Sequence, residues 1–250
     1  MKAVILCAGK GERLRPLTEN IPKPMIPIDN KPVLEYLIKL CKKHRINEIA
    51  INTSYLPEKI KEYFQNGEKF GVKINYSFEP ELLGTAGALN NFRNFLDETF
   101  FVIYGDNITD LNLSKMYSFH KSKKGLGTLY LYKEKIVDDK TTPGCVILDK
   151  NTQVKEIIER PTEEERKGIE KIPQNMRYMN SGIYILNPEV INFIPKGFSD
   201  FSRDIFPAVL KKGKLYGYME NCYIKEVGQI IRYEKAKQDI ESGAIKFDFI

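Results

Sequence analysis

Apolar positions in the first half of the chain alternate between short continuous runs and helical spacing. Continuous runs of β-branched and other apolar residues predict buried strands, whereas apolar residues recurring every three or four positions predict helices. The strands predicted from apolar runs are 3–8, 48–52 and 99–104, and 73–78 is predicted as a strand because its apolar and polar residues alternate. The predicted helices are 31–45, 57–64 and 84–96. Strands that alternate with helices at this spacing predict right-handed βαβ units and a parallel sheet.

The second half of the chain has a more mixed pattern. The predicted strands are 127–133, 145–148, 153–158 and 178–186, the predicted helices are 201–211 and 229–242, and the polar segment 162–172 is helical or irregular. No linker rich in proline, serine or glycine divides the halves. We therefore predict one α/β domain over residues 1–250, with a doubly wound, mostly parallel, Rossmann-like sheet and a smaller mixed subdomain.

Composition and charge narrow the class of protein. The chain is 42% hydrophobic and 29% charged, which is ordinary for a globular protein. It has no run approaching the roughly 20 apolar residues of a membrane span, and charges follow the N-terminal run too soon for a signal peptide. Four scattered cysteines and two histidines fit no usual zinc spacing, so we expect reduced thiols in a cytoplasmic protein. A net charge of +6 without a basic stripe favours a small anionic substrate over nucleic acid.

The loop after the first predicted strand has the composition of a phosphate-binding loop. Gly9 and Gly11 allow backbone N–H groups to turn towards an anion, and Arg13 and Arg15 add charge suited to bidentate phosphate contacts. Leu14 occupies the third glycine position of a dinucleotide fingerprint, and no Gly-Lys-Ser/Thr follows as in a Walker A loop. On the loop alone, a simple glycine turn between strand and helix remains an alternative.

A lysine between two prolines follows this loop. Pro22 and Pro24 restrict the backbone around Lys23 and thereby fix its direction. Lys23 is thus a candidate phosphate clamp, although a surface lysine in a proline-rich loop has the same local sequence.

Taken together, the motifs resemble those of the sugar-1-phosphate nucleotidyltransferases. The similar segments are GKGERLRPLT at 9–18, IPKPMIPIDNKPVLEY at 21–36, LGTAG at 83–87, GDN at 105–107, ERP at 159–161, NSGIY at 180–184 and YIKEVG at 223–228. The similarity extends over essentially the whole chain and is strongest to the mannose-1-phosphate guanylyltransferase branch.

This resemblance implies an enzyme that joins an NTP and a sugar 1-phosphate into an NDP-sugar and releases pyrophosphate. Residues 1–125 are then mainly nucleotide-binding, 126–228 mainly sugar-binding, and 229–250 a C-terminal helix and tail. Arg13 and Lys23 are the implied catalytic residues, and the implied nucleotide-binding residues are Leu6, Ala8, Gly9, Gly11, Glu79, Gly84, Thr85 and Asp106. Such phosphoryl chemistry depends on charge neutralisation and alignment.

The resemblance also implies a magnesium ion held by Asp106 and Glu226. Mg²⁺ is usually held by one or two carboxylates together with substrate oxygens. The family usually has Asp where Glu226 stands, so the side chain here is one methylene longer. A structural ion pair between Glu226 and a cation such as Lys225 is the alternative.

The sugar phosphate pocket is implied by four further residues. Glu159 and Asn180 can bond sugar hydroxyls, Gly144 belongs to the same pocket, and Arg160 can hold the phosphate. The family commonly has Lys in place of Arg160, and the two cations differ in geometry. The polar segment 162–179 beside this pocket is either a solvated excursion or a selectivity element.

The choice of base depends on Glu79. An ionised carboxylate only accepts hydrogen bonds, which suits the adjacent N1–H and N2–H of guanine better than uracil or thymine. GTP with a mannose-like sugar phosphate is therefore expected. The alternatives are a relative that uses UTP, dTTP or CTP, including a cytidylyltransferase for phosphocholine, and a non-catalytic nucleotide-binding regulator. We expect no membrane or nucleic-acid partner, and a homo-oligomer is possible.

Overall fold

The computed structural model describes residues 1–133, 145–159, 161–173 and 176–250. Its strands are β1 Lys2–Leu6, β2 Pro27–Ile28, β3 Lys31–Pro32, β4 Glu48–Thr53, β5 Lys73–Phe78, β6 Phe100–Tyr104, β7 Asn107–Thr109, β8 Gly127–Tyr132, β9 Cys145–Leu148, β10 Val154–Ile158, β11 Arg177–Leu186, β12 Leu215–Tyr218 and β13 Ile224–Glu226. Its α-helices are α1 Val33–Lys43, α2 Pro57–Phe64, α3 Gly84–Gly87, α4 Leu113–Lys123, α5 Glu163–Lys171, α6 Phe206–Leu210 and α7 Ile230–Glu241.

Short helical turns lie between these elements. The 3₁₀ turns are Glu12–Leu14, Lys23–Met25, Glu68–Phe70, Ala88–Phe92 and Pro188–Phe193, and a π-helix spans Phe201–Ile205. The predicted helix 201–211 is therefore a π-helix that continues into α6.

The central sheet has the strand order β10-β9-β11-β6-β1-β4-β5, with β8 on β11 and β12 on β8. Strands β6, β1, β4 and β5 run parallel and in register, whereas β11 is antiparallel to β6, β8 and β9. This arrangement confirms the predicted α/β fold with a mostly parallel sheet. The carboxyl ends of β1, β4, β5 and β6 meet at one edge, where ligands of such sheets bind.

Both faces of the parallel sheet are covered, as the continuous apolar runs predict. Side chains alternate across a strand, so Ile5 and Ile103 belong to one buried cluster and Val4 and Val102 to the opposite one. Helix α1 packs its buried apolar residues against the Ile5 side. The sheet edge at which ligands are expected is therefore supported by packing on both faces of the sheet.

The observed elements differ from the predicted ones mainly at glycines and short turns. The predicted helix 84–96 contains only four residues of α-helix before a 3₁₀ turn, since Gly84, Gly87, Asn90 and Asn91 all disfavour helix interiors. The first residues of the predicted helix 31–45 instead form the β2–β3 hairpin. Helix α5 shows that the polar segment after residue 161 is helical, with a capping box between Thr162 and Glu165.

Helix α4 and strands β7, β12 and β13 were not predicted. The start of α4 does carry a local signal, because the Asn112 side chain accepts a hydrogen bond from the Lys115 backbone N–H at 2.9 Å. Strands of three or four residues carry too little periodicity to be recognised. No helix within the described ranges is long and apolar enough to cross a membrane.

We predict that Gly87→Ala destabilises the fold. A Cβ at this position would lie 2.3 Å from the Gly197 carbonyl oxygen, a backbone atom that cannot rotate away. Such overpacking should lower the free energy of unfolding by about 1–3 kcal/mol, measured by urea denaturation.

Gly168→Ala is the matched control for this prediction, because Gly168 is exposed in α5 and its Cβ would meet nothing within 4 Å. Its stability should stay equal or rise by up to about 1 kcal/mol, since alanine favours a helix. Equal stability of the two alanine variants would contradict the close approach at Gly87.

Candidate active site

The loop after β1 is fixed on both sides by hydrogen bonds from its neighbours. The Cys7 backbone N–H donates to Asn52 Oδ1 at 2.8 Å, and the Gly105 N–H donates to the Leu6 carbonyl at 2.9 Å. β1 thus ends with Leu6 at the site edge, and the buried Ala8 follows in the loop. Burial and the nearby Asp106 charge raise the pKa of the Cys7 thiol well above its usual value, so the thiol stays neutral.

The two glycines of this loop have different surroundings. Gly11 has a left-handed φ of +68°, and its carbonyl accepts hydrogen bonds from the Leu14 N–H and the Thr18 hydroxyl. Gly9 is exposed, and a Cβ there would meet nothing within 4 Å. The backbone at Gly9 therefore borders open space, which an anion can enter.

Lys23 lies beside this loop between two carboxylates. The residue begins the 3₁₀ turn Lys23–Met25, and its side chain is 14% exposed. Its ammonium is hydrogen-bonded to the Asp106 carboxylate, which is 15% exposed, and lies 3.7 Å from Glu226 Oε1. The side chains predicted from three separate motifs therefore converge at one position.

Pairing of β7 with β13 brings the two carboxylates together. Glu226 lies opposite Asn107 in this antiparallel pair, and the Val227 N–H donates to the Asp106 carbonyl at 2.8 Å. Glu226 also faces two arginines, with Oε1 3.8 Å from Arg13 Nη2 and Oε2 2.9 Å from Arg232 Nη1. The ion pair expected as the alternative for Glu226 is thus present with Arg232 rather than with Lys225, and the metal-ligand role of Glu226 stays a prediction.

The carboxylates of Asp106 and Glu226 fit a magnesium site. Asp106 bonds the Lys23 ammonium and Glu226 Oε1 lies 3.7 Å from it, so the two carboxylates face one cation, and hard oxygens are the ligands that Mg²⁺ prefers. In the parts of the chain that the structure describes, no three acidic, histidine or cysteine side chains form a metal cluster. A magnesium ion between these two side chains would therefore complete its coordination with substrate oxygens or water.

Glycine at position 228 is required for this arrangement. A Cβ there would lie 2.0 Å from Glu226 Oε1 and 2.8 Å from Lys23 Nζ. The missing side chain thus leaves the space in which the carboxylate and the ammonium approach each other.

Glu79 is buried inside the loop scaffold. Its Oε1 accepts a hydrogen bond from Asn52 Nδ2 at 2.8 Å, its Oε2 accepts one from the Leu83 N–H at 3.0 Å, and its side chain is 1% exposed. The sequence suggests a direct contact between Glu79 and a base, but neither carboxylate oxygen of Glu79 is exposed to make it. Because Asn52 also holds the Cys7 N–H, Glu79 links the ends of β1, β4 and β5.

The segment that carries Gly84 and Thr85 is bound to the chain around residue 200. The Thr85 N–H and hydroxyl both lie 3.0 Å from Asp200 Oδ1, and the Phe201 N–H donates to the Thr85 hydroxyl at 3.0 Å. Gly84 has a φ of +78°, and its Cβ would lie 2.4 Å from the Ser199 carbonyl. Asp200 is thus a site residue that sequence reasoning did not identify.

Asn180 belongs to a second polar group on the side of the mixed strands. Its Nδ2 lies 2.9 Å from Tyr184 Oη and 3.0 Å from Ser202 Oγ, and Tyr184 donates to Tyr104 Oη at 3.4 Å. Burial raises the pKa of Tyr104 to about 12, and that of Tyr184 well above its usual value, so both hydroxyls stay protonated. Neutral hydroxyls and an amide are groups that can bond sugar hydroxyls.

The other predicted sugar residues are less defined. Glu159 is exposed, and its charge contributes to the raised pKa of Tyr104, which places it near the Asn180 group. Gly144 and Arg160 lie outside the described residues.

Sequence reasoning also did not identify Arg232, Ser202, Tyr104 or Tyr184 as site residues. Tyr104 directly precedes the GDN motif and Tyr184 ends the NSGIY motif, so proximity to a motif was an available signal. Arg232 lies four residues beyond the YIKEVG motif and Ser202 is near no motif, so only the fold brings them to the candidate site.

Comparison with known proteins identifies the class. The sequence model of the Nucleotidyl transferase family matches residues 2–243, and the chain belongs to this family. The chain is 38% identical to a UTP–glucose-1-phosphate uridylyltransferase of Synechocystis, covering 98% of this chain and 65% of the relative. It is 34% identical to a mannose-1-phosphate guanylyltransferase catalytic subunit beta of Dictyostelium discoideum, covering 92% and 61%. The chain therefore spans less than two thirds of the length of these relatives.

Solved structures show the same fold. HddC from Yersinia pseudotuberculosis, complexed with GMP-PN, has a TM-score of 0.76 and 26% identity over 96% of this chain and 99% of that one. A Bacillus anthracis structure with bound sucrose has a TM-score of 0.82 and 26% identity over 99% and 97%. The resemblance recognised from the motifs is thereby confirmed at the level of the family.

We predict that Gly228→Ala disturbs the site and leaves the fold intact. The atoms that obstruct its Cβ are the ends of Glu226 and Lys23, which can swing away. The melting temperature of the unliganded chain should stay near its original value, whereas the additional stabilisation by Mg²⁺ with an NTP should be lost. That stabilisation is about 2.7 kcal/mol for a ligand at 100 times its Kd, so thermal unfolding detects its loss. Undiminished ligand stabilisation would contradict the geometry, and Gly168→Ala serves as the control.

Proposed function

We propose that this chain catalyses the Mg²⁺-dependent transfer of a nucleotidyl group from an NTP to a sugar 1-phosphate. The convergence of Lys23, Asp106 and Glu226 beside the open backbone at Gly9 is the observation that carries the proposal. The sugar phosphate oxygen attacks the α-phosphorus, the bond to the bridging oxygen breaks, and pyrophosphate leaves with the electron pair. This chemistry needs aligned substrates and fixed positive charge.

The residues of the site divide this task. The backbone at residues 9–11 and the exposed guanidinium of Arg13 bind the β- and γ-phosphates. Lys23 neutralises charge that develops between the attacking phosphate and the α-phosphate. A magnesium ion held by Asp106 and Glu226 would supply further charge neutralisation at the triphosphate.

We assign the nucleotide mainly to residues 1–125 and the sugar phosphate mainly to 126–228. The segment 229–250 contributes as well, because α7 carries Arg232 to the carboxylate of Glu226. Asn180 and Glu159 remain the proposed sugar contacts, and the buried Ser202 and Tyr184 hold the Asn180 amide in place. All four cysteines lie in the described parts of the chain and are free thiols, which supports a cytoplasmic location.

Two bases are proposed for the donor. The similarity to a mannose-1-phosphate guanylyltransferase subunit at 34% identity favours GTP, whereas Glu79 no longer does, because both of its oxygens are bonded within the protein. The similarity to a uridylyltransferase at 38% identity favours UTP.

A substrate matrix tests the proposed function. Pyrophosphate release is measured with GTP, UTP, dTTP, CTP and ATP, each against mannose, glucose and N-acetylglucosamine 1-phosphates and phosphocholine, with and without Mg²⁺. We expect release only when an NTP, a sugar phosphate and Mg²⁺ are all present. NTP binding in a thermal-shift assay without release from any pair would instead indicate a regulatory nucleotide-binding protein, and release with CTP and phosphocholine would indicate the non-sugar alternative.

We predict that Lys23→Ala lowers kcat far more than it weakens NTP binding. The charge that Lys23 faces grows only in the transition state, so kcat should fall by about 100- to 1,000-fold. Steady-state kinetics and nucleotide titration measure the two effects.

Lys31→Ala is the control, because Lys31 pairs with Asp29 at 3.5 Å on the β2–β3 hairpin. Turnover of Lys23→Ala within twofold of the original chain would remove Lys23 from the reacting phosphates.

We predict that Glu226→Asp retains substantial activity and that Glu226→Gln loses most of it. Aspartate keeps the charge and is the usual family residue, whereas glutamine keeps the size but loses the charge. Measuring kcat against Mg²⁺ concentration compares the two variants. An unchanged Mg²⁺ response in the Gln variant would show that Glu226 is a structural ion-pair partner and no metal ligand.

A further inference from the structure

Arg232 occupies an electrostatically unfavourable place on helix α7. The residue is the third of Ile230–Glu241, and the first turn of this helix contains no acidic side chain. The N-terminus of a helix carries partial positive charge, so a cation there is destabilised unless a nearby anion compensates. Glu226, on the preceding strand, supplies such an anion.

The two oxygens of Glu226 face different cations. Oε2 accepts a hydrogen bond from Arg232 Nη1 at 2.9 Å, which is the short distance of a charge-assisted bond. Oε1 lies 3.7 Å from Lys23 Nζ and 3.8 Å from Arg13 Nη2, distances too long for hydrogen bonds. Arg232 thus holds one oxygen away from the site, while the other faces the lysine and the phosphate loop.

A glutamate needs this constraint more than an aspartate does. Its additional rotatable bond adds rotamers, and fixing a flexible side chain costs conformational entropy. The Glu226 side chain is also 32% exposed, so packing alone does not fix it. Gly228 leaves space on one side of the carboxylate, and Arg232 draws it from the other.

We propose that Arg232 is a positioning residue that fixes Glu226 so that only Oε1 is offered to the metal ion. The inference rests on the proposed function and adds the requirement that the longer carboxylate acts through one oxygen. Arg232 itself contacts neither the metal nor the phosphates. Neither the motifs nor the names of the relatives assign this role.

Arg232→Gln tests the inference through metal binding. Residues that orient a metal ligand typically contribute 10- to 100-fold in metal affinity, so the Mg²⁺ concentration for half-maximal activity should rise about 10- to 100-fold. The kcat at saturating Mg²⁺ should fall by less than about threefold, because the reacting groups remain. Arg232→Lys, which keeps the charge without the planar fork, should lie between the two.

Lys235→Gln is the matched control on the same helix. Lys235 pairs with Asp239, and not with Glu226, at 2.9 Å and is 55% exposed. The variant should keep the original Mg²⁺ response. A shift equal to that of Arg232→Gln would overturn the inference, because loss of any positive charge on α7 would then have the same effect.

A second readout is independent of turnover and of the base. Calorimetry with Mn²⁺ pyrophosphate, a metal complex of the proposed product, should show about 10- to 100-fold weaker binding for Arg232→Gln. Metal-free pyrophosphate in EDTA should bind both chains equally. Equal weakening of the metal-free ligand would overturn the inference, because Arg232 would then contact phosphate directly.

A double variant shows whether Arg232 acts through Glu226. Adding Arg232→Gln to Glu226→Gln should change Mn²⁺ pyrophosphate affinity by less than about twofold, because the carboxylate to be positioned is already absent. A full additional loss would overturn the inference. An original chain that binds no Mn²⁺ pyrophosphate would overturn the proposed function and this inference together, whereas tight binding by both the original and the Arg232→Gln chains would overturn the inference alone.

Discussion

The site depends on one interaction, the ammonium of Lys23 between the carboxylates of Asp106 and Glu226. Lys23 and Asp106 are only 14% and 15% exposed, so both charged groups are largely removed from water. Each is compensated by the opposite charge of the other. Removal of one partner from such a pair leaves an uncompensated charge and is more costly than the pair is stabilising. The interaction therefore joins the turn after the phosphate loop, the end of β6 and strand β13, which are far apart in the sequence, into one electrostatic unit.

The sequence predicts the parallel sheet well because its signal is local and repeated. β1, β4 and β6 are largely buried on both faces, so each is a mostly apolar run between turns, whereas the edge strand β5 alternates between apolar and polar residues. The pairing of β7 with β13 involves only three residues on each strand, and its hydrogen bonds join backbone groups that any sequence supplies. Nothing in the composition of either strand specifies that pairing, yet it brings Glu226 to Asp106.

The candidate site residues also differ in how far their local sequence predicts their position. Lys23 and Asp106 could be predicted because their local surroundings, prolines in one case and a Gly-Asp-Asn turn in the other, limit where they point. For Glu79, the sequence gives the chemistry of the side chain but not its partners. An acceptor-only carboxylate suits a base, yet it equally suits Asn52 and the Leu83 N–H, and the fold places those donors within 3.0 Å. Arg232 shows the converse, since an ordinary helical arginine becomes significant only through the carboxylate opposite it.

The segment around residue 200 relates the two proposed subsites physically. Asp200 holds Thr85 beside the nucleotide loop, and two residues later Ser202 bonds Asn180 on the proposed sugar side. The intervening backbone belongs to the π-helix Phe201–Ile205, and π-helical turns are rare and concentrated at functional sites. In-line attack requires the two substrates to be aligned within fractions of an ångström. Because this one short segment contacts both Thr85 and Asn180, a shift of the segment moves the two proposed subsites together and preserves their relative alignment.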